Sequence, residues 1–231
     1  MRFLIVAILL LAWPGTALAD MRATWQSLSN GSQWTAEAAD NGDGRLDPSG
    51  MAYYLLRSGG ELHAVYTNAA APRVVRIRDL QQVMRERGVG FRPPPGILEQ
   101  GQFVARGDAT IAGRRGRALY LRFEDGELSP RPMIVVSDDP AFAPLGRMFS
   151  DQMEFSITAI RIAGATPPEN FLVARRFIGD GTPLLFAGYS LETIDAAPID
   201  SKRFELPGAP MSLEDLRGQE LRVLVPVRPG Q

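Results

Sequence analysis

The sequence contains no cysteine. This absence excludes disulfides, thiolate-bound zinc and a cysteine nucleophile together, and it also excludes the cysteine on which a lipid anchor at a mature N-terminus is built. A fold made from this chain must therefore be stabilised by its own hydrophobic core. A mature chain of about 210 residues is long enough for such a core, because a domain of that size buries roughly 70% of the surface of its unfolded chain.

Histidine and lysine are almost absent as well, with His63 and Lys202 as the only examples. A single histidine cannot form a histidine-rich metal site. A Ser-His-Asp relay based on His63 would need a nucleophile motif such as Gly-x-Ser-x-Gly, which the chain lacks. His63 stands in an alternating strand pattern, so we predict a structural side chain at the surface or half-buried.

The chain also lacks an excess of charge of either sign, since its formal net charge is -1. Nearly balanced charge provides no whole-molecule field that would attract nucleic acid. No glycine-rich phosphate loop follows a predicted strand, which leaves no nucleotide site to propose. We therefore expect no nucleic-acid partner and no cofactor.

Long hydrophobic runs are missing, and the one clear run, residues 3–12, is far shorter than the roughly 20 residues that span a bilayer. Arg2 precedes this run, and the small residues of Ala17-Leu18-Ala19 follow it. The three-part pattern predicts a signal peptide at residues 1–19, cleaved after Ala19. We expect residues 20–231 to form a single periplasmic domain with no transmembrane segment and with a loose tail at residues 228–231.

Strand patterns separated by turn residues fill the N-terminal third of the mature chain. The predicted strands are residues 23–28, Gln33–Ala38, residues 51–57, Glu61–Tyr66 and residues 74–77. Apolar spacing predicts a helix at residues 80–87 that begins at Asp79 and ends at Gly88. Alternation along Glu61–Tyr66 predicts a sheet with one dry face and one wet face. Three consecutive prolines within residues 91–96 predict an extended loop.

Residues 108–148 look like the segment around which the domain is organised. They begin with a predicted hairpin in which Gly113 and Gly116 bracket the turn, and a strand at residues 133–136 follows. Asp138 and Asp139 then have the position and chemistry of helix caps. Because Pro144 interrupts the first turn, we predict a kinked start and a regular helix from about Pro144 to Phe155.

The remaining residues read mainly as strands. Ile157, Thr158, Ile160 and Ile162 are β-branched, which favours a strand after the helix. Residues 171–178 and 184–194 flank Gly179-Asp180-Gly181, which predicts a hairpin. Residues 204–207 are predicted to be a short closing strand, and Ser212 is predicted to cap a short helix that ends at Arg217.

Two acidic groups of residues invite a functional reading. Residues 39–50 resemble a calcium loop, but Ala39 and Gly50 stand where such a loop needs carboxylates, so a turn explains them better. A pair of carboxylates for glycoside hydrolysis must face each other across a cleft. Nothing in the spacing selects such a pair from the candidates Glu124, Asp125, Asp138, Asp139 and Asp151.

Three arginines, Arg114, Arg115 and Arg117, lie at the turn of the predicted central hairpin. They are candidates for contact with anionic lipid headgroups or with an acidic partner. A solvated hairpin tip is the simpler interpretation, because no basic amphipathic helix accompanies them.

The order of these elements resembles the periplasmic lipoprotein carriers of the LolA and LolB type and the exported proteins grouped near them. The resemblance rests on the layout and on short strings such as Ile111-Ala-Gly-Arg-Arg-Gly and Ile134-Val-Val-Ser-Asp-Asp-Pro. It implies an α+β fold, in which a curved antiparallel sheet, an incomplete barrel, has a few helices on its concave face. It also implies a hydrophobic cavity, and the residues that would line it here are Leu119, Leu121, Phe123, Phe142, Leu145 and Phe149. An ordinary filled core explains the same residues with less assumption.

We expect from these observations an exported, soluble, non-enzymatic binding or carrier protein for a lipid or acyl chain in the cell envelope. The alternative is an envelope structural or adaptor protein that binds another protein through the outer face or an edge strand of the sheet. An exposed apolar patch above a filled interior would favour that alternative. A hydrolase comes third and would need a buried carboxylate pair in a polar cleft.

Overall fold

The computed structural model describes residues 20–48, 50–90, 101–179 and 181–220. The predicted signal peptide at residues 1–19, the predicted loop at residues 91–96 and the predicted tail at residues 228–231 lie outside these ranges. The described part of the chain forms one antiparallel sheet and four α-helices.

Eleven strands make up the sheet. They are β1 (Met21–Ser27), β2 (Gln33–Ala38), β3 (Gly44–Pro48), β4 (Tyr53–Ser58), β5 (Glu61–Tyr66), β6 (Arg73–Arg76), β7 (Gly101–Ile111), β8 (Arg114–Phe123), β9 (Ile134–Ser137), β10 (Thr182–Phe186) and β11 (Tyr189–Ala196). Their spatial order is β6-β5-β4-β3-β2-β1-β11-β10-β9-β8-β7. The sheet is curved and does not close into a barrel, which confirms the predicted α+β fold.

Four helices complete the described fold. They are α1 (Ile77–Arg87), α2 (Ala143–Ile162), α3 (Glu169–Ile178) and α4 (Leu213–Gly218). The predicted ends of α1 and α4 are close to those observed, since Gly88 ends α1 in a left-handed conformation and the Ser212 side chain caps α4. No helix in the described ranges is long and apolar enough to cross a membrane.

The concave face of the sheet holds the largest hydrophobic cluster, and α1 and α2 cover it. Inward side chains alternate along the strands, as Ala23 and Trp25 do on β1. Helix α1 contributes Leu80, Val83 and Met84, all fully buried. The strand residues of this cluster come from both halves of the strand order, so the core joins the two halves of the sheet.

The outer face is covered at β5, contrary to the prediction that this strand has one wet face. On β5, His63 and Val65 are as deeply buried as Ala64 and Tyr66 on the opposite face. Leu206, from the chain after β11, packs against Val65 and its neighbours. The prediction that His63 lies at the surface or half-buried is wrong, because its side chain is only 2% exposed.

Helix α2 differs from the prediction at its C-terminal end. Residues 157–162 continue the helix and do not form a strand. Ile157 and Ile160 are three residues apart and both are buried, so packing on one helix face outweighs the weak strand preference of β-branched residues. The start of α2 agrees with the prediction, since a 3-10 turn at Pro140–Phe142 leads into a helix with proline in its first turn.

Helix α3 occupies residues that were predicted to be a strand, and that prediction is wrong. Asn170, Ala174 and Ile178 are its buried residues, at a spacing of four. Pro167 and Pro168 precede the helix and Gly179 ends it. The helical spacing of its buried residues shows that tertiary packing selected the helical period.

Turn positions correct three further predictions. The β7–β8 turn is Ala112-Gly113, both with positive φ, while Gly116 lies inside β8. The predicted strand at residues 184–194 is divided into β10 and β11 by a second positive-φ turn, Ala187-Gly188. The predicted closing strand at residues 204–207 is wrong, because Phe204 ends a 3-10 turn at Ser201–Phe204 and residues 205–207 form no strand. Strand β3 was not predicted, because its residues were assigned to a turn.

Candidate functional site

Five aromatic rings meet on the concave face at the end of the sheet where β1 ends and β11 begins. The Phe149 ring centroid lies 4.8 Å from those of both Trp25 and Phe186. Trp34 lies 5.5 Å from Phe186 and 5.7 Å from Tyr189. Most of these pairs are tilted or edge-to-face, the arrangement that aromatic quadrupoles favour. We call these five residues the aromatic cluster.

Exposure to solvent changes across the aromatic cluster. Trp25 and Phe149 are buried, whereas Trp34, Phe186 and Tyr189 are only half-buried. Leu28, in the neighbouring β1–β2 turn, is 52% exposed. The ring contacts therefore lead from half-buried aromatic side chains to fully buried ones in the concave core.

Hydrogen bonds hold the aromatic cluster in place. The Trp25 indole N–H donates to the carbonyl oxygen of Pro183 at 2.8 Å. The Tyr189 hydroxyl lies 3.0 Å from the Ser32 hydroxyl. The Trp25 hydrogen bond is buried and the Tyr189 contact is part-buried, so the polar atom of each ring has a partner while the rest of the ring packs against apolar neighbours. Sequence patterns missed the cluster because its members come from β1, β2, α2, β10 and β11.

Helix α2 lies over the concave face and is held there by close packing and polar contacts. A Cβ atom on Gly44 would lie 2.7 Å from the Met148 sulphur, so the Met148 side chain packs directly on β3 at this glycine. The Arg57 guanidinium binds the Asp151 carboxylate at 2.6 Å. The Ser150 hydroxyl donates to the carbonyl oxygen of Gly179 at 2.5 Å. These three contacts of α2 are made with β3, with β4 and with the residue that ends α3.

The six residues that were predicted to line one cavity do not share one space. Phe142, Leu145 and Phe149 belong to the concave core, whereas Leu119 packs on the outer face with α3. Leu121 is buried and follows Leu119 at a spacing of two, on the same side of β8; Phe123, at the end of β8, is half-buried. Ala118, not Leu119, is the buried β8 residue that belongs to the concave core. The prediction of a common lining is wrong, because the assignment of faces was inverted.

Both free edges of the sheet are partly occupied. On β7, the Asn170 side-chain oxygen accepts from the Phe103 backbone N–H at 3.0 Å, and its amide donates to the Gly101 carbonyl oxygen at 2.6 Å. On β6, the Met211 backbone N–H donates to the Val74 carbonyl oxygen at 2.8 Å. The backbone N–H and C=O groups with which an added strand would pair already form hydrogen bonds at these positions.

The predicted arginine turn borders a groove of about 400 Å³ between the β7–β8 turn and the chain that leads into α2. Arg115 binds Asp108 at 2.6 Å. Arg117 binds Asp138 through two guanidinium nitrogens, which lowers the pKa of that carboxyl and raises that of Arg117. Asp138 was predicted to be a helix cap, but only Asp139 caps, by accepting from the Ala141 N–H.

The remaining acidic candidates occupy separate structural roles. Asp151 pairs with Arg57, and Asp125 accepts a turn hydrogen bond from Glu127. In the former calcium-loop candidate, Asn41 accepts from the Asp43 N–H, as in an Asn-containing turn. Within the described ranges, no three histidine or acidic side chains are grouped closely enough to hold a metal ion.

Comparisons with protein-family models, with curated proteins and with solved structures found no match for this chain.

Proposed function

We propose that this protein is an exported carrier that binds the acyl chain of a lipid against the concave face of its sheet. The aromatic cluster carries the proposal, because its half-exposed rings connect the surface to the apolar core. The antiparallel, incompletely closed sheet beneath α1 and α2 is also the architecture that the LolA and LolB resemblance implies. The proposal includes the periplasmic location and the removal of residues 1–19.

Binding in this way requires α2 to move away from the sheet. The rings of Trp25, Phe149 and Phe186 are in mutual contact, so an acyl chain has to replace contacts that α2 now makes. The exchange is nearly neutral for the sheet, because apolar surface uncovered by α2 is covered again by the ligand, and burial of the acyl chain's own apolar surface favours binding. The polar contacts of α2, chiefly the one between Arg57 and Asp151, set the remaining barrier.

The alternative of an adaptor that recruits a partner by strand addition has less support. Asn170 occupies part of one sheet edge and Met211 part of the other. Among the described residues, Leu28 and Val89 are the large hydrophobic side chains with high exposure, and they do not form an extended patch.

A removable cross-link between α2 and β3 tests the proposal. Gly44→Cys and Met148→Cys place two thiols where a Cβ on Gly44 would lie 3.0 Å from the Met148 Cγ, in a chain with no native cysteine. We expect the oxidised protein to lose binding of a solvatochromic acyl probe and the reduced protein to regain it. The same sample before and after reduction is its own control, with cross-linking verified by intact mass. Equal binding in both states would show that ligand does not enter beneath α2.

The site itself is tested by removing one ring. We expect Trp34→Ala to weaken binding of the acyl probe about tenfold or more, the equivalent of roughly 1.4 kcal/mol, because a half-buried ring would contact the chain. Tyr54→Ala is the matched control, since Tyr54 is half-buried but packs in the cluster on the outer face. Equal losses in the two variants would contradict an aromatic entrance. Mass spectrometry of lipid extracted from the purified protein then identifies the bound class.

A further inference from the structure

The groove beside the β7–β8 turn is separate from the aromatic cluster and is lined by charged side chains of both signs. Its walls are the hairpin tip on one side and residues 137–142 on the other. The groove is open to solvent, and its volume of about 400 Å³ is within the range of small-molecule sites. A lipid headgroup or a molecule of similar size fits such a space.

The groove has equal numbers of positive and negative side chains, but not all of them are paired with each other. Three guanidinium groups and three carboxylates line it. Arg115 is paired with Asp108, and Arg117 with Asp138. These two ion pairs satisfy four of the six charged groups and also hold them in fixed positions.

Arg114 and Asp139 are the two groups left over. Arg114 is exposed and forms no ion pair within the described ranges; its guanidinium lies 5.2 Å from the centroid of the Phe142 ring. Asp139 uses one carboxylate oxygen, Oδ1, to accept from the Ala141 N–H at 3.0 Å. Its other oxygen takes part in no hydrogen bond or ion pair with the described residues. The groove therefore presents one unmatched cation and one unmatched anion.

We propose that this groove binds a zwitterion that carries a phosphate and an ammonium group, with the phosphate on Arg114 and the ammonium on Asp139. A simple anion would meet three carboxylates, and a simple cation would meet three guanidiniums. A ligand with both charges matches both unpaired groups, and guanidinium is well suited to phosphate. Phosphoethanolamine has this chemistry, either free or as the headgroup of a phospholipid.

The site deepens the proposed carrier function by naming a headgroup, yet it does not depend on binding of the acyl chain. Phe142 belongs to the concave core and also forms part of the groove wall. The chain of a lipid held by its headgroup in the groove would thus lie near the first turn of α2.

Titration with soluble probes tests the groove without an acyl chain. The full mature protein is titrated with glycerophosphoethanolamine, glycerophosphoglycerol and ethanolamine, with binding followed by NMR shifts or calorimetry. We expect glycerophosphoethanolamine to bind more tightly than either singly charged probe. Arg114→Gln should weaken it about tenfold, as for loss of a charge-assisted hydrogen bond. Asp139→Asn should keep the helix cap, since asparagine caps as well as aspartate, and should abolish the preference over glycerophosphoglycerol.

The matched control is Arg122→Gln, which removes the same charge from an exposed position on β8 that does not line the groove. Equal effects of Arg114→Gln and Arg122→Gln, or no preference for the zwitterion, would overturn the proposal. Vesicles with and without phosphatidylethanolamine distinguish the two sources: Arg114-dependent binding to the former assigns a lipid, and binding of the soluble probe alone assigns a free metabolite. The oxidised Gly44→Cys/Met148→Cys protein should still bind glycerophosphoethanolamine, which separates failure of the groove from failure of the carrier proposal.

Discussion

Glu37 is a carboxylate that is almost completely buried on the outer face of β2, and two arginines bind it. Arg22 donates to one of its oxygens from two guanidinium nitrogens, and Arg203 donates to the other at 2.6 Å. Arg203 belongs to the 3-10 turn after β11, so this contact fastens the C-terminal segment to the sheet. Both arginine side chains are partly exposed and can be rehydrated when the carboxylate is lost.

We expect Glu37→Gln to lower the free energy of unfolding by about 1–3 kcal/mol, the range for hydrogen bonds to charged groups. Urea unfolding of the purified protein measures the change. Glu192→Gln, at an exposed position on β11, is the control and should have a small effect. A loss in Glu37→Gln no larger than in the control would contradict a stabilising role for the arginine pair.

His63 is buried without such partners. Its side chain is 2% exposed, and neither ring nitrogen has a hydrogen-bond partner among the described residues. The nearest acidic atom, an oxygen of Glu61, lies 3.6 Å from Nε2. Burial lowers the pKa of His63 below its ordinary value; the Glu61 carboxylate and the nearby backbone groups of Glu61 and Leu56 oppose this shift, and Arg76 adds to it. The folded state therefore favours the neutral ring.

Stability should consequently fall in mild acid. The unfolded chain binds a proton at His63 near its ordinary pKa of 6.5, whereas the folded protein binds it only at lower pH. The unfolded state thus gains protons first, and the free energy of unfolding decreases as the pH falls through this interval. Urea unfolding at about pH 7.5 and about pH 5.5, above the ordinary carboxyl range, measures the decrease. His63→Gln should show a smaller decrease; an equal one would rule out His63 as its source.

At the scale of elements, α3 both covers the outer face of β7–β9 and closes part of the β7 edge. Ala174 and Ile178 pack against Leu119, Ile134 and Val136. One turn earlier, Asn170 bonds to the backbone of β7 in the way that a neighbouring strand would. A buried side-chain amide has the required donor and acceptor in one group.

We expect Asn170→Ala to lower the free energy of unfolding by about 1–3 kcal/mol, because two backbone groups lose this partner. The uncovered edge should also promote self-association. Urea unfolding and light scattering after size exclusion measure the two effects. Gln102→Ala, at an exposed position on the same strand, should change neither. A stable, monomeric Asn170→Ala protein would contradict edge protection by α3.

Sequence patterns predicted some elements closely and missed others for a common reason. β2 and β5 have the predicted limits, and Gly88 and Ser212 mark helix ends as predicted. Turn and cap chemistry is local, so neighbouring residues determine it. Residues 157–162 and α3 were assigned to strands because their helical form depends on surfaces supplied by the folded sheet.

At the scale of the whole molecule, β1 and β11 form the seam between two sets of strands. Strands β1 to β6 lie on one side and β7 to β11 on the other, and β1 pairs with β11 along its whole length. Helix α2 crosses the seam, since it packs on β1, β2 and β3 and also on β10. The concave core is continuous across the seam.

We therefore expect the two sets of strands to unfold together. Protein expressed from Asp20 contains two tryptophans, Trp25 and Trp34, both in the aromatic cluster. Their fluorescence reports on β1 and β2 at the seam, where both rings also contact Phe186 of β10, and far-ultraviolet circular dichroism reports on the whole fold. Urea curves from the two probes should coincide. A second dichroism transition at a concentration where fluorescence no longer changes would show that the halves unfold independently.

By itself the sequence determined the α+β class, the antiparallel strands, most turns and the start of α2, because alternation, glycine turns and caps act over a few residues. The tertiary structure alone decided which strand face meets which helix, and it placed Leu119 outside and Ala118 inside. It also buried His63 and brought five rings together from separate elements. Alternation shows that a strand has two faces, but which segments cover each face depends on distant parts of the chain that meet only in the folded protein.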